Sequence, residues 1–177
     1  MGAWSGPFLI AALVLAGAGI AKAVDPTMTV GALRGVKLRV PAVGVRIGGV
    51  VEAVLAVAAV VTGSAILALG VAASYLAFTG FVVVALVRRI PIGSCGCFAK
   101  EDTPPSMVHI VVNLGAAVSA VGFAASEGNG LGSTIADQPA AGVPFLLLAV
   151  AGAYAVYSAL TVVPQLARLR PVNGGRS

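Results

Sequence analysis

"ILALGVAASYLAFTGFVVVALV", residues 66–87, is twenty-two residues without a charge, and it ends at Arg88-Arg89. A bilayer core needs about 20 apolar residues per helix, so this stretch reads as a transmembrane span closed by an interfacial cation pair. Thr62-Gly63-Ser64 just before it is too short for anything but a tight turn. The apolar run at 45–62 is therefore its antiparallel neighbour. Working outward, three more runs qualify, near 7–23, 107–125 and 143–163. The expected architecture is all-α, a single polytopic transmembrane domain over 1–177 with about five spans. The longer connectors fall at 24–44, 88–106 and 126–142.

Composition agrees. Of 177 residues, 59% are hydrophobic and 10% are charged, against about 25% charged in an ordinary soluble domain. Abundant Ala, Gly and Val suit helices packed closely through small residues in lipid. "AKAVD" at 21–25 imitates a signal-peptidase site, but "MGAWSG" carries no positive n-region, so the first run reads as a retained helix. Net charge is +5. No aromatic–basic interleaving accompanies it, so nucleic acid is not an expected partner; the lipid bilayer is.

Lys22, Arg34, Lys37, Arg39 and Arg46 flank the first connector, Arg88, Arg89 and Lys100 the third, and Arg168, Arg170 and Arg176 follow the last span. Five spans place these on one side, facing only Glu127 and Asp137 on the other. The positive-inside rule then predicts an outer N-terminus and a cytoplasmic C-terminus and third connector, in a bacterial plasma membrane.

Polar groups converge on the same half. Lys22 sits near the end of the first span. Glu52 is placed about two turns into the second, roughly 10 Å from its cytoplasmic end. His109 opens the fourth, and Asn113 follows one turn later on the same stripe. A Glu52 ion pair with Lys22 or Arg46 would satisfy packing alone; intramembrane ionisable groups also mark function. Tyr75, Tyr154 and Tyr157 are candidates to line a quinone pocket, although helix tyrosines commonly just pack and hydrogen-bond.

The third connector holds both cysteines, Cys95 and Cys97, separated by Gly96. Three roles are open. Metal ligation ordinarily takes four ligands, and only His109, Glu101 and Asp102 stand nearby. A redox pair fits the pattern better: Cys-x-Cys closes a small ring, glycine supplies its φ freedom, and a strained exposed disulfide is labile. Incidental thiols are the third reading, weakened by their adjacency. "DTPPS" at 102–106 reads as a helix start, with Asp102, Thr103 or Ser106 as cap and Pro104 at the first helical position. Helix dipole and nearby cations favour a thiolate there. His109 is placed to serve as its base or proton relay, with Glu52 a deeper relay or quinone-side group.

"SCGCFA" (94–99) followed by "TPPSMVHIVVNL" (103–114) is similar to the C-x-C-F-G and downstream helix motif of the methylamine-utilisation membrane protein family, MauE, within the DoxX-like group. "AGAGIAKAVDP" (16–26) and "GGVVEAVLAV" (48–57) resemble its Lys and Glu signatures, so the likeness spans about residues 10 to 125. Ala99 stands where the family has Gly, and Val112 where many relatives have Arg. The resemblance implies a DoxX-like four-helix core with an added helix. It implies a part in thiol–disulfide metabolism, or in maturation of exported disulfide proteins such as methylamine dehydrogenase. It also implies a thioredoxin-like protein, client proteins or oxidoreductase subunits as partners, and a membrane quinone as electron acceptor. A soft-metal carrier and a non-catalytic assembly subunit remain the alternatives.

Overall fold

The structure is a computed structural model and describes residues 2–89, 105–126 and 139–169, with side chains of the last segment described over 142–162. Six helices run through the described residues: α1 (Ser5–Val24), α2 (Thr27–Gly35), α3 (Ala42–Thr62), α4 (Ala65–Val87), α5 (Met107–Ala125) and α6 (Pro139–Leu169). Helices α1, α3, α4 and α5, together with Gly142–Val162 of α6, are long and apolar enough to cross a membrane. All five expected spans are present, and α3 begins three residues earlier than the apolar run predicts. Helix α2 was not expected, and α6 extends beyond its apolar part at both ends.

The turns follow local chemistry. Gly63 adopts φ 68°, a left-handed conformation that costs glycine little, and its N–H donates to Ala59 O at 3.0 Å. Ser64 N–H donates to Thr62 Oγ1 at 3.2 Å, closing the α3–α4 hairpin. After α1, Asp25 Oδ1 accepts from Thr27 N at 3.0 Å and from Thr27 Oγ1 at 2.6 Å, which starts α2 within three residues. Helix α2 ends in paired bonds from Lys37 N to Arg34 O and from Leu38 N to Leu33 O, each 2.9 Å. Ala32 of α2 is buried against Ala85, so the short helix tucks under the end of α4.

Helix α1 is central. It runs antiparallel to α3 and α5, with Trp4 against Gly122 and Phe8 stacked on Phe123 at 4.1 Å between ring centroids. The four-helix core is built from Phe8, Ala11, Ala12 and Leu15 of α1, Ala56 and Ala59 of α3, Val71, Ala72 and Tyr75 of α4, and Ala117, Ala120 and Phe123 of α5. Alanines dominate because lipid supplies no hydrophobic drive between helices; close van der Waals contact does the work instead. The larger aliphatics, such as Ile47, Val54, Val61 and Ile66, point outward.

Helices α1 and α3 approach closest at Gly19 and Gly49. A Cβ on Gly19 would fall 2.5 Å from Gly49 O, and one on Gly49 would fall 2.5 Å from Gly19 O. Only glycine fits on either side. Helix α6 lies along the other flank of α1, where Phe145 rests near Gly6 and Ile10 fills the space over Gly152.

Candidate functional site

The Gly19–Gly49 crossing explains how a charge pair enters this bundle. Lys22 and Glu52 each lie three residues beyond their glycine, in the matching frames "GIAKA" and "GVVEA". With the backbones in contact, Lys22 Nζ pairs directly with Glu52 Oε2. The ammonium also lies 4.3 Å from the centroid of the Phe78 ring on α4, a cation–π contact. Lys22 is 6% exposed, and the Glu52 side chain is 20% exposed. Of the two partners the sequence offered Glu52, the fold selects Lys22; Arg46 is exposed.

The expected depth of Glu52 is corrected. Helix α3 runs from Ala42 to Thr62, so Glu52 is its central residue, ten positions from either end. That is about 15 Å at 1.5 Å per residue, rather than the 10 Å read from the sequence. The carboxylate belongs to the middle of an apolar helix of membrane-spanning length, where an unpaired charge is costly.

The second polar group is on α5. His109 is 3% exposed and Asn113 5%, on one buried stripe with Ala117 and Ala120. Helix α5 starts at Met107 with Ser106 as its N-cap, matching the expected span over 107–125 and one of the three expected caps, though not Pro104 as first helical residue. Ser106 makes no capping bond; its Oγ lies 2.9 Å from His109 Nδ1. One ring nitrogen of the histidine is thus occupied by its own helix start. Asn113 Nδ2 is buried and has no hydrogen-bond partner among the described residues. The spacing of Ser106, His109 and Asn113 is visible in the sequence; the serine–imidazole contact and the orphaned amide are not.

Helices α1 and α4 end, and α3 and α5 begin, at one end of the bundle. Lys22, His109, Asn113 and the two described ends of the connector, Arg88–Arg89 and Ser106, therefore share that half. Arg34, Lys37, Arg39, Arg46, Arg88 and Arg89 are exposed at the same end. The one carboxylate beside them on the described surface, Asp25, is held below its ordinary value by its bonds from Thr27, with Arg46 adding attraction. Cys95 and Cys97, with Glu101, Asp102 and the proposed cap Thr103, lie outside the described residues. Among the described residues no three of His, Cys, Asp and Glu converge as metal ligands would.

Among the grooves formed by the described residues, the tyrosines fall in two. Tyr75 lines an apolar groove of about 320 Å³ between α1, α4, α5 and α6, with Ser119. Its hydroxyl donates to Ala11 O at 2.6 Å, which ties α4 to α1. Tyr154 and Tyr157 line a separate groove of about 320 Å³ between α1 and α6.

No curated protein and no solved structure matches the chain. A family model described as methylamine utilisation protein MauE matches residues 2–126, which takes in α1 to α5, the Lys22–Glu52 pair, the cysteine connector and the His109–Asn113 stripe. With five apolar helices of spanning length, the chain is a multi-pass membrane protein and belongs to the MauE family.

Proposed function

We propose that the protein is a membrane thiol–disulfide redox protein acting in methylamine utilisation, with Cys95 and Cys97 as its exchanging pair. A thioredoxin-like partner's two thiols give two electrons and two protons to the Cys95–Cys97 disulfide. The partner's thiols close to an S–S bond, and the S–S bond between Cys95 and Cys97 opens to two thiols. A membrane quinone, becoming quinol, is the acceptor suited to carry off those two electrons and two protons, which re-forms the Cys95–Cys97 disulfide. His109 serves as the proton-handling base at the start of α5. Glu52, neutralised by Lys22, contributes by fixing α1 against α3 beneath the connector. The products served are disulfide-containing client proteins that require maturation.

The observation carrying this reading is a buried histidine in the first turn of the helix that follows the Cys-Gly-Cys connector. An imidazole is the side chain whose ordinary pKa suits proton exchange with thiols near neutrality. The one-sided distribution of exposed cations supports placement in a bacterial plasma membrane, N-terminus outside and connector cytoplasmic.

Thiol trapping in native membranes tests the reading. Cys95 and Cys97 are expected to shift between reduced and oxidised forms under redox challenge, with Cys95→Ser abolishing client maturation. Cysteines that stay reduced under every oxidant, together with full maturation in Cys95→Ser, would overturn it.

A further inference from the structure

The orphaned amide of Asn113 asks for an acceptor. A donor sealed inside an apolar bundle loses its bonds to water and regains nothing. Few native groups are left so, and each calls for a physical reason. Asn113 is 5% exposed, and its Nδ2 has no hydrogen-bond partner among the described residues. It is not there to fill space, since alanines occupy the next positions along the stripe, Ala117 and Ala120.

His109 supplies the complementary group. It precedes Asn113 by one helical turn on the same face, which sets the two Cβ atoms about 5–6 Å apart. Its Nδ1 is engaged by Ser106 Oγ at 2.9 Å, so Nε2 is the ring atom left for a second contact. Asn113 Nδ2 makes no direct bond to the ring. A single water spans them with two bonds of about 2.8–3.0 Å each.

We propose that His109 and Asn113 together bind one buried water, and that this water fixes the histidine tautomer. Asn113 Nδ2–H donates to the water oxygen. The water O–H donates to His109 Nε2. Nδ1 then carries the ring proton and donates it to Ser106 Oγ. Asn113 Nδ2 and both ring nitrogens then each have a partner, and the nitrogen left basic is Nε2. Asn113 is a positioning residue in this arrangement: it holds the water that selects which nitrogen accepts a proton. The site does not depend on the reactivity of Cys95 or Cys97, so it stands or falls apart from the thiol reading.

The chain contains one histidine, which makes the test unambiguous. Full-length protein with ¹⁵N-labelled histidine and asparagine, reconstituted in lipid, is studied by proton-detected solid-state NMR at neutral pH. The expected spectrum has a protonated Nδ1, an unprotonated Nε2, and water correlations to both the His109 ring and the Asn113 side-chain amide. In Asn113→Leu the ring's water correlation is lost and the tautomer ratio shifts. Asn113→Ala, which removes the donor with less added bulk, repeats the result if the leucine variant does not fold. A ring proton on Nε2, a missing water correlation at Asn113, or an unchanged His109 spectrum in the variants would each overturn the proposal.

Discussion

Lys22 holds its ammonium between a carboxylate of α3 and an aromatic ring of α4, so one side chain joins two helices to α1. Removing either charge leaves the other buried without compensation, which costs about 3–5 kcal/mol, whereas replacing both with apolar residues is close to neutral. Glu52→Leu is therefore expected to lower thermal stability in detergent sharply, and Lys22→Met combined with Glu52→Leu to recover most of it. Equal losses in single and double variants would contradict the pairing. Asp25 gives a pH prediction. Its carboxyl is held below the ordinary 3.8 by the Thr27 bonds, so its support for the start of α2 is complete above that value. The support fades only as pH falls through the lower folded value. Hydrogen exchange at the Thr27 amide should be flat from neutrality to about pH 4 after correction for intrinsic rates, and rise in more acid solution. At this scale the sequence disclosed which residues are unusual but not whom they touch. Lys22 and Glu52 stand out because they are charges in apolar runs. Their meeting depends on a helix crossing that no local pattern specifies, and the Phe78 contact leaves no mark in the sequence.

Among the elements, the spans were legible because length and absence of charge are enough to define a membrane helix. Helix α2 was not, because nine residues with a mid-helix glycine form no stable helix alone; burial of Ala32 against Ala85 supports it. The start of α5 was legible as a span over 107–125, but which residue caps it was not. Asp102, Thr103 and Ser106 are all credible caps by type, and tertiary context decided for Ser106, whose hydroxyl turns to His109 instead of the backbone. The α1–α3 crossing yields the sharpest test at this level. In Gly49→Ala the new methyl meets Gly19 O and Ala23 N, both backbone atoms that cannot step aside. Gly48→Ala meets nothing within 4 Å and gains about 0.5–1 kcal/mol of helix propensity. Thermal melts in detergent should show the first variant destabilised and the second unchanged or improved. Equal behaviour would mean the two helices do not cross at Gly19–Gly49.

For the molecule as a whole, alternating helix direction gathers the described exposed cations at one end, and the orientation proposed from them is directly measurable. An impermeant thiol reagent should label Cys95 and Cys97 in inverted vesicles and leave them untouched in intact cells; the reverse pattern would turn the protein over in the bilayer. The half-bundle that contains His109 was foreseeable from the sequence, because five spans fix which connectors share a side. The central position of Glu52 was not, since it follows from where α3 begins. That position bears on how the chain is made. Lysine has a long stem and, near the end of α1, can reach toward headgroups while it waits. Glutamate is short, and at mid-helix it has no such escape. The ribosome delivers α1 before α3, so the cation is already seated when the carboxylate arrives. Order of synthesis thus supplies each charge with shelter in turn, and a permuted gene that delivers α3 first should strand the acid at the translocon.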